Sequence, residues 1–283
     1  MKLSNKILIA FALALILIPV LGMVIVSATK YKTGDNKHIM SHLDSFSATS
    51  KNMTSIPLSS SFESVNIADA KALQLNIHFV KDSKYGVKIP SHLKDVLSVN
   101  VDASGTLQIV VKNNTNNEGY YTTIAVYSPS IKSLNVAKAN DVNVSAIADS
   151  LSLNIQKSGS VSFDHATKIN QLSVKTEDLA SLYFREAKIK SISLDLHNTN
   201  LKSELNSFDN VSIATFGKCK VELIGSYDQI ERKYTINNLT LNTNGIADVK
   251  LENIKVANCS GKLSNETLVQ MPAVNLNQMF NKK

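Results

Sequence analysis

The sequence predicts an all-β fold: a right-handed parallel β-helix, or β-solenoid, of about 19–22 residues per coil, preceded by an N-terminal transmembrane helix. Three observations carry this expectation. A short phrase recurs, as Ser133-Leu134-Asn135-Val136, Ser152-Leu153-Asn154-Ile155, Gln171-Leu172-Ser173-Val174, Ser193-Leu194-Asp195-Leu196 and Ser212-Ile213-Ala214-Thr215, and loosely as Thr240-Leu241-Asn242-Thr243. Apolar and polar residues alternate from Ser61 onward, the period of a half-buried strand. One apolar run, Ile7 to Val26, stands ahead of both.

That run is broken only by Pro19 and Gly22, and its 20 residues suffice to span the hydrocarbon core of a bilayer, about 30 Å. Lys2 and Lys6 precede it, and Lys30 and Lys32 follow. A cleavable signal sequence ending near Val26-Ser27-Ala28 is the competing reading, but the run exceeds the usual apolar region of about 7–15 residues. Residues 1–28 are therefore expected to be an uncleaved signal-anchor that contacts the membrane through 7–26. The rest would be exported to the periplasm or the cell surface.

Residues 29–60 are rich in Ser, Thr, Lys, Asn and His and show no periodicity, so they read as a polar linker. His38 and His42 stand four apart, with nothing else of a metal site beside them. Alternation then becomes strict. Leu73, Leu75 and Ile77 mark one strand, Tyr85, Val87 and Ile89 the next, and Leu107, Ile109 and Val111 another. Turn signals separate them, among them Asp102-Ala103-Ser104-Gly105 and the Asn-rich stretch from Asn113 to Gly119.

After Pro129 the repeat begins. Measured between the leucines of the phrase, the steps are 19, 19, 22 and 19 residues, then 28. The excess in the last step reads as a loop inserted near Tyr227–Lys233. A second apolar pair follows each phrase, as in Val161/Phe163, Leu182/Phe184 and Val221/Leu223, and a third apolar element sits near Ile147, Ile169, Ile189 and Phe208. Three short strands per unit describe one triangular coil, whose stacking buries an apolar column. Leu134, Leu153, Leu172, Leu194 and Ile213 are expected to share one such column. Asn140-Asp141, Ser158-Gly159-Ser160, Glu177-Asp178, Asn198-Thr199-Asn200 and Gly217-Lys218 are suited to the corners. Residues 61–265 form the predicted solenoid, and 266–283 a cap or tail.

Composition narrows the function. The net charge of +7 is carried almost wholly by Lys, and Arg occurs only at 185 and 232, which argues against nucleic-acid binding. Cys219 and Cys259 lie about two coils apart, too far for a disulfide whose Cα atoms should stand within about 7 Å, so two buried thiols are expected. Ser158-Gly159-Ser160 is read as a sterically demanded corner. His165 and His197 have no partners at metal-ligand spacing. No cofactor or metal site is expected, and no catalytic residues.

Phe62-Glu63-Ser64-Val65, Tyr85-Gly86-Val87, Asp102-Ala103-Ser104-Gly105-Thr106-Leu107-Gln108-Ile109, Ser128-Pro129-Ser130-Ile131-Lys132-Ser133-Leu134 and Lys157-Ser158-Gly159-Ser160-Val161 occur in an order that resembles the autotransporter-adhesin head GIN domain family of exported Bacteroidetes proteins. The resemblance covers roughly residues 61–265 and implies an exported β-helical domain with an adhesive role. The tail of about 20 residues is not expected to supply the membrane barrel of a self-transporter, which needs many strands of about ten residues.

The expected function is a membrane-anchored envelope module without catalytic activity, meeting a glycan or a surface protein. The residues expected to face such a ligand are Asn135, Asn154, Ser173 and Asp195, between the apolar pairs, and Tyr120 and Tyr121, which with Tyr127 flank the Asn-rich loop. Two other readings stand beside it. One is a β-helical carbohydrate-active enzyme, which would need two of Asp141, Asp164, Asp178, Asp195 and Glu222 in one cleft near Arg185, some 5–10 Å apart. The other is a structural envelope spacer.

Overall fold

The computed structural model describes residues 45–112, 121–163, 165–226 and 233–280, together with a few helical positions between 6 and 23. It divides into two units, 1–44 and 45–283. Most of the expected membrane span 7–26 lies outside the described residues. Among the described residues, no helix is long and apolar enough to cross a membrane.

The second unit is almost entirely strand. Its repeating part comprises β8 (Ser133–Ala137), β9 (Asp141–Phe163), β10 (Lys168–Arg185), β11 (Lys188–His197), β12 (Asn200–Glu204), β13 (Phe208–Ile224), β14 (Thr235–Glu252), β15 (Lys255–Lys262) and β16 (Thr267–Gln270). Each pairs in parallel with a strand one repeat away. A parallel ladder stacks like on like because neighbouring strands lie about 4.8 Å apart with side chains in step. On the first face, Leu134, Leu153, Val174, Leu194, Ile213 and Leu241 form one buried column. On the second, Val161, Leu182, Leu201, Val221 and Val249 do the same, and half-buried Val269 ends the column. Phe163 and Phe184 stack in the next inward column of the same face, at 4.9 Å between centroids.

The first column corrects the expected one. Val174, not Leu172, stands beneath Leu153, and Leu172 pairs with Leu151 one rung over. Asn143 and Ser162 remain in contact at a step of 19, whereas Ile147 pairs with Lys168 at a step of 21, so two residues are inserted between Phe163 and Lys168. A slip of one residue would have turned the strand inside out, but a slip of two leaves every side chain on its own face. The alternation could not register it. Ile147 is corrected as well. It points outward, 67% exposed, and Ala148 pairs with Ile169. The long step of 28 behaves as expected: Glu204 pairs with Ile224 and Phe208 with Ile236, so eight extra residues fall between Ile224 and Ile236.

One corner is built the same way in each coil. Lys138, Lys157, Asp178, Asn198, Gly217 and Gly245 all have positive φ, from 47° to 100°. At Gly217 a Cβ would stand 2.2 Å from Asn198 Oδ1, so a side chain there would displace the Asn198 amide from its bonds to Asp178 and Lys218 N–H. Cys219 and Cys259 are buried and free.

Ahead of the repeat lie β1 (Met53–Pro57), β2 (Ser64–Ile67), β3 (Gln74–Lys81), β4 (Gly86–Pro90), β5 (Leu97–Val101), β6 (Thr106–Val111) and β7 (Thr122–Ser128). β2, β3, β6 and β7 extend the parallel ladder, while β1–β4–β7 and β5–β6 are antiparallel. β1 falls inside the segment expected as linker, so that boundary is corrected: from Ser45 onward the chain is part of the folded unit. The Phe46 ring occupies the space a Cβ at Gly86 would need and packs edge-on against Tyr127. A single strand paired at the sheet edge leaves too short a pattern to read. At the other end, the helix α1 (Ala273–Phe280) packs on β15, and β16 extends the strands past residue 265 to Gln270. Gln278 accepts from Cys259 N–H at 2.9 Å and donates to Ala257 C=O at 2.9 Å, so the helix satisfies part of an otherwise open edge.

The β5–β6 hairpin is tied by Asp102, which accepts from the Ser104 hydroxyl (2.6 Å), Thr106 N–H (3.0 Å) and Gln108 Nε2 (2.7 Å). These bonds hold its carboxyl at about 2, below the ordinary 3.8. The stabilisation is complete above the unfolded value and is lost as pH falls through the folded one. Asp102→Ala is therefore expected to melt below the parent protein at pH 7, with the gap closing between about pH 4 and pH 2, measured by thermal denaturation.

Candidate ligand-facing surface

The outward positions of the first face form straight rows, because the parallel register brings equivalent residues of each coil side by side. One row carries a hydroxyl in each of six coils: Ser133, Ser152, Ser173, Ser193, Ser212 and Thr240. Beside it run Ser150, Gln171, Ser191, Asn210, Asn238 and Asn258. Part of this second row is a side-chain ladder. Asn258 donates to Asn238, Asn238 to Asn210 and Asn210 to the Ser191 hydroxyl, each at 3.0 Å. The ladder orients the amides, and each one then presents known donors and acceptors to solvent.

A shallow groove of about 440 Å³ lies over these two rows, with Lys132 at one end. No carboxylate, histidine or cysteine lines it, and Lys132 is paired with Glu63 at 2.5 Å. The groove offers hydroxyls and amides at the strand spacing of about 4.8 Å. It suits a flat or extended polar ligand and offers no acid–base pair for bond cleavage.

The expected ligand-facing residues divide between several places. Asn135 and Asn154 are neighbours in register, but the next positions in their row are Lys175 and Asp195. Ser173 belongs to the hydroxyl row instead, for the same two-residue insertion. Asp195 bonds His197 at 3.1 Å, and His197 stacks on Phe216 at 4.4 Å. Tyr121 is half exposed beside β7, on the second face, where burial and then the Asp141 charge raise its pKa. Tyr120 lies outside the described residues. Tyr127 is fully buried and cannot stack on a sugar.

The acids do not converge. Asp141 and Glu222 occupy different rows of the second face, where the Ser160 hydroxyl donates to Asp141 and Lys220 pairs with Glu222. Asp178 sits at a corner, accepting from Asn198 at 3.0 Å. Asp195 is on the first face, and Asp164 lies outside the described residues. The Tyr183 hydroxyl donates to buried Glu204 at 2.6 Å, and Arg185 stands two residues beyond Tyr183 on β10. Among the described residues there is no cluster of three His, Cys, Asp or Glu suited to a metal.

Residues 61–266 match the family described as putative auto-transporter adhesin, head GIN domain. The chain belongs to this family. No curated protein matches it. Three solved structures share features with this GIN-domain chain. A putative adhesin from Bacteroides fragilis NCTC 9343 is 13% identical, with a TM-score of 0.46, covering 77% of this chain and 95% of its own. A putative adhesin from Parabacteroides merdae ATCC 43184 is 12% identical, with a TM-score of 0.47, over 77% and 95%. A putative lipid binding protein from Parabacteroides distasonis ATCC 8503 is 13% identical, with a TM-score of 0.39, over 75% and 96%.

Two features of this GIN domain left no trace in the sequence pattern. One is the burial of Lys88 beneath the turn at 45–50, because Val87-Lys88-Ile89 reads as an ordinary half-exposed strand. The other is the hydroxyl row as a continuous surface. Its serines were visible one phrase at a time, and only the corrected register aligns Ser173 with the rest.

Proposed function

We propose that this GIN-domain chain is an exported adhesive module that holds an extended neutral glycan on its first face, without a catalytic step. The observation that carries the reading is the row of six hydroxyls in register, flanked by pre-oriented amides. A sugar polymer laid along the stack would exchange hydroxyl contacts at each coil, and the ladder lowers the ordering cost of the protein side. Membership in an adhesin-head family supports the same class of function. We infer also that the coils wind right-handed, as parallel crossovers do, and that the apolar run 7–26 anchors the chain in a membrane with the rest exported.

The test is a glycan array probed with the full chain in non-ionic detergent, beside the Ser193→Trp variant. Ser193 is exposed at the centre of the groove, so an indole there fills the ligand's path without touching the core. Binding to a neutral glycan that drops at least about tenfold in the variant is the expected result, equivalent to about 1.4 kcal/mol. Equal binding by both proteins removes the first face from the function. Recovery of a soluble chain starting near Thr29 would replace the anchor with a cleaved signal.

A further inference from the structure

A larger groove of about 790 Å³ lies on the third side of the coil, distinct from the hydroxyl face. Four lysines line it: Lys81, Lys168, Lys188 and Lys190. Lys168 and Lys188 are direct neighbours in the parallel register of β10 and β11. Like charges placed side by side across strands are destabilising, so this pair is held at a cost to the fold. None of the four lysines takes part in an ion pair among the described residues.

Three carboxylates line the same groove, and two are already engaged. Asp149 accepts from Asn170 at 2.9 Å and Asp209 from Asn237 at 3.1 Å, both in the row beyond the lysine pair. Glu186 sits at a left-handed corner. Between Lys81 and Lys168 the chain exposes Ile147, an apolar side chain 67% accessible beside the cations. Asn206 also lines the groove. Its amide nitrogen donates to Phe184 C=O, Glu204 C=O and the Ser203 hydroxyl, while its buried Oδ1 has no donor among the described residues. Cations at strand spacing and an apolar ledge together match a ligand with repeated anions and C–H faces. The groove runs across β9, β10, β11 and β13, which a single small anion would not fill.

We propose that this third-side groove binds an acidic polysaccharide, its carboxylates meeting Lys168 and Lys188 and its sugar faces resting on Ile147. The site is independent of the neutral-glycan reading of the first face.

The experiment is calorimetric titration of the full chain in non-ionic detergent with polygalacturonate, and with neutral dextran. Binding to polygalacturonate is expected, weakening as salt rises past about 0.15 M because exposed charges are screened. The double variant Lys168→Gln/Lys188→Gln is expected to lose at least about tenfold in affinity, with a melting temperature equal to or above the parent's because the like-charge contact is gone. Lys188→Arg should retain binding, and so should Ser193→Trp, since Ser193 belongs to the other face. Equal affinity of the parent for dextran, unchanged affinity of the double variant, or no binding at low salt would each overturn the proposal. So would capture by anionic phospholipid vesicles without capture by polygalacturonate.

Discussion

Gly159→Ala is expected to destabilise the folded unit by about 3 kcal/mol, a loss read from urea denaturation. A Cβ at this position would stand 2.0 Å from the Asn140 carbonyl oxygen and 3.1 Å from its carbon. That carbonyl cannot simply move aside, because it accepts from Ser160 N–H at 3.0 Å, and Gly159 N–H is bonded to Ala139 C=O at 3.1 Å. These are the bonds that seat one coil on the previous one. The methyl group must either break them or lift the corner, and Val161 and Phe163, buried just beyond, would lift with it. Gly105→Ala is the control. Its φ of +76° disfavours a side chain, but the nearest atom to its Cβ is 3.9 Å away, so only about 1 kcal/mol of backbone strain is expected. If the two substitutions cost the same, close stacking at Gly159 is not what requires glycine.

Lys88→Ala is expected to cost about 3 kcal/mol and to free the 45–50 turn, detected by faster proteolysis ahead of β1. Lys88 has no exposed surface. Its ammonium donates to Ser45 C=O at 2.9 Å, Ala48 C=O at 2.7 Å and the Ser50 hydroxyl at 3.2 Å, and lies 5.1 Å from the Tyr127 ring centroid. Truncation leaves a cavity and three acceptors without their donor. Lys88→Met keeps the stem and should cost less, about 1–2 kcal/mol.

Burial pushes the Lys88 pKa down, with the Asp82 charge partly opposing. The unfolded chain then holds more protons than the folded one between that lowered value and the ordinary 10.5, so this lysine makes stability rise with pH across that window. The rise should be absent from Lys88→Met. A variant that melts like the parent at every pH would show that Lys88 does not hold the turn, leaving Phe46, Asp82 and the Lys84–Ser47 bond to do so.

Legibility was uneven for one reason. Alternation reports which way a side chain faces, and corner residues report where the chain bends. From these come the inward Leu153 and Leu194, the corners at Asp178, Asn198 and Gly217, the insertion before Thr235 and the glycine at 159. The same information is blind to which rung a residue occupies. Leu172 and Val174 both face inward, and nothing local says which of them lies beneath Leu153. The candidate site suffered accordingly, because Ser173 and Asp195 face outward alike but lie in different rows.

The sequence by itself determined the β period, the buried face, the corner chemistry and the family, since each is written within a few neighbouring residues. Tertiary structure alone decided the register after Phe163, the docking of 45–57 onto β4, the outward turn of Ile147 and the alignment of hydroxyls and lysines into separate surfaces. Those depend on partners about 20 residues or more away, and pairing over that distance is set by the fit of whole coils, which no local pattern encodes.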